Sequence, residues 1–83
     1  MRKYEVIWEQ IKKASSEAER WVEVQASTVA YMQTIINMVQ LEKSRASVAR
    51  RSLDLPSFGR LEIVRKPDDR KVLFRLKDSG AAL

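Results

Sequence analysis

Leu61-Glu62-Ile63-Val64-Arg65-Lys66-Pro67-Asp68-Asp69-Arg70-Lys71-Val72-Leu73-Phe74-Arg75-Leu76 is the stretch on which the fold turns. Leu61 and Ile63 alternate with charged neighbours, and Val72, Phe74 and Leu76 recur with the same period of two, the signature of strands with one buried face. Between them, Pro67-Asp68 has the chemistry of a type I turn: the pyrrolidine ring presets φ, and the aspartate tolerates the bend. A four-residue connection over 66–69 pairs Arg65 with Arg70. That register sets Ile63 opposite Val72 and Leu61 opposite Phe74, so the apolar side chains share a face of a β-hairpin. Arg65, Lys66, Arg70 and Lys71 then crowd at the tip, where an anion would relieve their mutual repulsion.

Upstream of the hairpin the character changes. Both glycines and both prolines lie after residue 55, so the first 55 residues are expected to be mostly helical. Tyr4, Ile7, Trp8, Ile11 and Ala14 recur at steps of three and four and mark an amphipathic helix over about 2–14. Ser16 and Glu19 have the spacing of a capping box and are read either as a helix restart or as a polar link. Trp21-Val22-Glu23-Val24-Gln25 alternates and is β-branched, which favours a short strand over a helical continuation. Ser27 is the expected N-cap of a helix that buries Val29, Met32, Ile35, Ile36 and Val39. Leu41-Glu42-Lys43 is read as a turn, with a second helix from Ser44 to Leu53. No glycine stands in that turn, so a continuous helix over 27–53 is the alternative. Pro56-Ser57-Phe58-Gly59 ends the helical region.

Composition narrows the chemistry. Eighty-three residues make one small domain. There is no cysteine and no histidine, so a disulfide scaffold, a thiolate zinc site and a histidine base are all excluded. No apolar run approaches the ~20 residues of a membrane span, and the start lacks a signal-peptide core, so a soluble, cytoplasmic protein is expected. The net charge of +5 is unevenly spread: residues 1–42 carry −1 and residues 43–83 carry +6. Such a field attracts polyanions.

The order of elements is helix, strand, helix, turn, basic helix, hairpin: an α+β winged helix-turn-helix. Ser44 to Gly80 resembles the recognition-helix-and-wing region of winged helix-turn-helix regulators of the multiple-antibiotic-resistance (MarR) type. Ser47-Val48 followed by arginine is similar to that family's recognition helix. Leu53, Gly59, Leu61 and Ile63 fall where its members end that helix and begin the first wing strand. Arg65-Lys66-Pro67-Asp68-Asp69-Arg70-Lys71 resembles the wing, and Leu76-Lys77-Asp78-Ser79-Gly80 its closing segment. The chain departs from the family in having Lys71 for arginine, Lys77 for threonine and Pro56 where the family's helix continues. It also stops at Leu83, short of the family's C-terminal dimerisation helix, so a shortened relative or a general winged helix is expected.

The resemblance implies one domain with an N-terminal helix and short strand over 1–26, a helix-turn-helix over 27–55, a wing over 59–77 and a tail over 78–83. The implied activity is sequence-specific binding of double-stranded DNA by a transcriptional regulator, with no cofactor and no catalysis. A helix fits the major groove, where Ser44, Arg45, Ser47, Arg50 and Arg51 would offer donors to base edges. Arg70 would enter the minor groove, with Arg65, Lys66 and Lys71 on phosphates. Trp8 is expected in the core rather than stacked on bases. If helix 1 is left partly uncovered, Tyr4, Trp8 and Ile11 could form a homodimer contact. Two other classes stand beside this reading. One is a protein-interaction or inhibitor module on the same scaffold. The other is a metal-dependent nuclease built on Asp54 and the Asp69-Arg70-Lys71 triplet, a short pattern that chance supplies readily.

Overall fold

The structure, a computed structural model, describes residues 3–18 and 20–77. Its elements in chain order are helix α1 (Lys3–Ala18), strand β1 (Val22–Gln25), helix α2 (Val29–Ser52), strand β2 (Arg60–Lys66), a single 3-10 turn (Pro67–Asp69) and strand β3 (Lys71–Lys77). The fold is therefore α+β, with two helices and one antiparallel sheet of order β1-β3-β2. The alternating Val22-Glu23-Val24-Gln25 segment is a strand, as its pattern predicts. The tail over 78–83, with the expected closing segment from Asp78 onward, lies outside the described residues.

α1 runs on to Ala18, so no helix restart occurs at Ser16. The stripe expected on it is the buried one: Ile7, Trp8 and Ile11 join the core, and Tyr4 packs against it. That burial removes the expected dimer contact. Trp8 is 3 % exposed and Ile11 is fully buried, because they pack under the sheet and α2. Tyr4 is held in the fold by its hydroxyl, 2.7 Å from that of Tyr31 on α2. Lys3 donates to the Tyr31 oxygen from 3.1 Å. The hydrogen bond with Tyr4, then that from Lys3, pulls the Tyr31 phenol below its ordinary pKa, while its bond to Tyr31 pushes Tyr4 up.

α2 is unbroken over 24 residues, and this corrects the helix-turn-helix expected over 27–55. The reason lies in the buried stripe. Met32, Ile35, Ile36 and Val39 are buried, the next positions of the stripe are Glu42 and Ala46, and neither interrupts a helix. Glu42 is a good helix former and sits in the stripe at 6 % exposure with the Arg45 guanidinium 3.4 Å from its carboxylate. The N-cap is Thr28 rather than Ser27: the Thr28 hydroxyl accepts from the Tyr31 amide at 3.1 Å. At the other end the amides of Asp54 and Leu55 bond the carbonyls of Arg51 and Arg50, a Schellman closure with Asp54 in the left-handed conformation at φ 58°. The following loop folds back, and Phe58 meets Trp8 edge to face with ring centroids 5.2 Å apart.

The hairpin forms as the period of two demands, in a register shifted by two residues. Ile63 lies opposite Phe74, Leu61 opposite Leu76, and Lys66 opposite Lys71. The connection is 67–70 rather than 66–69, because Arg70 adopts the left-handed conformation at φ 53° and its amide closes on the Pro67 carbonyl at 3.1 Å. A shift of two preserves facing, so Leu61, Ile63, Val72, Phe74 and Leu76 still point to the core. Val72 and Phe74, on the central strand, are fully buried.

Candidate functional site

The tip of the hairpin is tied to the start of α2. The Ala26 amide bonds the Arg70 carbonyl at 2.7 Å, and the Gln25 side-chain amide bonds the carbonyls of Asp69 and Arg70 at 2.9 and 3.0 Å. The four cations expected to cluster here are turned in different directions instead, with Lys66 and Lys71 alone left facing each other across the strands. Arg65, on the core-facing side of β2, donates to the side-chain oxygen of Gln33 on α2. Arg70 donates to the Ser27 carbonyl at 3.1 Å, so its guanidinium is turned to the helix start rather than held out as a minor-groove probe. Lys71 pairs with Glu23 of β1 at 3.3 Å. Lys66 is exposed and makes no ion pair with another described residue.

The basic segment expected to read DNA is the second half of α2. Arg45, beside Glu42, is exposed, and Ser44 and Arg51 are exposed with it. Ser47 returns its hydroxyl to the Lys43 carbonyl at 2.8 Å, a local bond that leaves it half-buried. Arg50 is occupied in the fold. It stacks on the Phe58 ring at 4.1 Å and donates to the Pro56 carbonyl at 2.6 Å, pinning the loop that follows α2. Ser44 and Arg51 therefore remain available, Arg45 is held in part by the buried Glu42 carboxylate, and Arg50 is better described as a brace.

The expected sites do not converge. The hairpin tip is anchored at Ser27, just before α2, while Arg51 stands near the other end of that helix, about 33 Å from its start at 1.5 Å per residue. α2 thus runs most of the 40 Å length of the molecule and separates the two basic groups to its ends. Asp54 and Asp69 are set at the same opposite ends, so the residues of the nuclease pattern are not brought together.

Two features were missed in the sequence. The first is the acid-free surface of α2. This helix carries Lys43, Arg45, Arg50 and Arg51 against one acid, Glu42, and that acid is buried. Gln33, Asn37, Gln40, Ser44, Ser47 and Arg51 recur at steps of four and three and form one polar face. The second is a shallow groove of 350 Å³ where that face meets the start of β2, lined by Gln40, Lys43, Ser44, Arg60 and Leu61. Lys43 and Arg60 lie in no motif; the signal available was the placement of a cation beside Ser44 and another at the first position of the strand.

On the far face of the sheet, Arg75 clamps Glu62 through its Nε at 2.8 Å and lies over the Trp21 ring at 4.4 Å. The hydrogen bond from Arg75 holds the Glu62 carboxyl below its ordinary value of 4.5. Trp21 therefore serves as a platform for Arg75. Among the described residues no cluster of acids has the makings of a metal site, and no helix is long and apolar enough to cross a membrane. No family model, curated protein or solved structure matches the chain.

Proposed function

We propose that the chain binds double-stranded DNA as a regulatory protein, with the second half of α2 against the major groove and the hairpin tip against phosphates. The observation that carries this reading is the surface of α2: exposed cations, amides and hydroxyls, with its single acid buried. A helix meets the major groove by its diameter, and Ser44, Arg45 and Arg51 offer donors there. The helical span of about 33 Å between Arg51 and the end of α2 beside the tip anchor is close to the ~34 Å of one duplex turn. A duplex running along α2 would meet both basic groups on one side, about a turn apart.

The test is the salt dependence of binding to labelled duplex. Six phosphate contacts give a log–log slope of about −5. Selection from a random pool should return an enriched site, and Arg51→Ala should relax its preference while Lys66→Ala weakens all sequences alike. Weak binding that is indifferent to salt and to sequence would sink the proposal.

A second reading is favoured by a different observation. Leu41 and Val48 are exposed on α2, seven residues apart, and Leu53 and Leu55 are exposed beyond it. Exposed apolar side chains among basic ones suit docking on an acidic protein surface. A stoichiometric partner that survives nuclease treatment in a pull-down supports that reading over DNA binding.

A further inference from the structure

We infer that the groove between α2 and β2 is a phosphate seat, in which Lys43 and Arg60 share one phosphate of a nucleic-acid strand while Ser44 and Gln40 donate hydrogen bonds to it. The inference rests on the DNA-binding reading for the source of the phosphate, and on the groove itself for the chemistry.

Four observations converge. First, the lining of Gln40, Lys43, Ser44, Arg60 and Leu61 holds two cations, an amide and a hydroxyl, with no acid. Second, neither Lys43 nor Arg60 makes an ion pair with another described residue. Glu62, whose field reaches Arg60, is already engaged by Arg75. Third, β2 is an edge strand, so its outer backbone groups, N–H donors among them, pair with no other strand among the described residues. Fourth, the groove is open rather than enclosed, which suits a group presented on a long polymer better than a buried small molecule.

Its position fits a continuous path. β2 runs beside α2 with Arg65 at Gln33 and Arg60 near Gln40, Lys43 and Ser44. The polar face of α2 continues from there to Arg51. From Gln33 to Arg51 this trough is about 27 Å long at 1.5 Å per residue. Phosphates of one strand recur every ~3.4 Å along the duplex, so several pass the trough, and the groove is where cations from two elements meet at one of them.

The experiment measures duplex binding by the full chain at several salt concentrations for wild type, Lys43→Gln, Arg60→Gln and the double variant. Amide shifts on addition of inorganic phosphate are recorded in parallel. Thermal melts exclude unfolding, and Lys43→Arg is the conservative control. A shared phosphate predicts that the double variant lowers the salt slope by about one, no more than either single change, and that Lys43→Arg restores it. A loss of about two in the double variant means independent contacts and overturns the shared seat, as does an unchanged slope; in both cases the DNA reading stands. If no duplex binds at low salt, the DNA reading falls. Phosphate-induced shifts at 40–44 and 60–61 that vanish in the double variant would then still support the seat, and their absence would overturn it as well.

Discussion

Two residues carry backbone conformations that the chain would more readily give to glycine. Asp54 closes α2 at φ 58° and Arg70 closes the hairpin at φ 53°. A left-handed non-glycine residue costs about 1–2 kcal/mol. At Arg70 the tip is compensated by the bond to Ser27, but the Asp54 side chain has no hydrogen bond or ion pair with another described residue. Asp54→Gly should therefore raise the melting temperature by about 4–8 °C, the shift of about 1 kcal/mol in a domain of this size, as measured by calorimetry. A lower melting temperature would show that the aspartate contributes something beyond its conformation. The Glu62 carboxylate gives a second residue-scale expectation. Its depressed pKa means that the Arg75 clamp contributes stability above the ordinary carboxylate value of 4.5, lost as the pH falls through the folded value. The gap between the melting temperatures of wild type and Glu62→Gln should be full at about pH 7 and shrink progressively as the pH falls below the ordinary carboxylate value; a gap that does not shrink would refute the clamp.

At the scale of elements, the hairpin was legible because period-two burial and a proline turn state the same thing. Its register was not, because a left-handed arginine leaves no mark in the sequence, and moving the turn by one residue at each end changes the pairing by two. Facing is insensitive to that change, so the core was read correctly even though the partners were not. The continuity of α2 was left open for an opposite reason. A buried glutamate looks like the polar residue of a turn until Val39 and Ala46 are seen on either side of it in one stripe. The groove at Lys43 and Arg60 was not legible at all, since it joins positions 17 apart that no local pattern links. The central strand should bear the greatest energetic weight. Phe74→Ala removes a fully buried ring, at about 3–5 kcal/mol. In so small a domain this should abolish cooperative unfolding by heat or urea. Val64→Ala, on the exposed side of β2, should change stability by no more than about 0.5 kcal/mol. Comparable losses at both positions would contradict the assigned facing.

For the molecule as a whole, the unbroken α2 matters more than any single cation on it. Two helices joined by a turn could adjust their angle to a target; a single rod cannot. The spacing between Arg51 and the anchored tip is therefore a fixed gauge, set by the hydrogen-bonded helix from Val29 to Arg51. A site bound by both ends should tolerate insertion of a full turn poorly and of half a turn not at all. About five extra base pairs would rotate one contact to the opposite side of the duplex, beyond the span of a caliper whose jaws do not open.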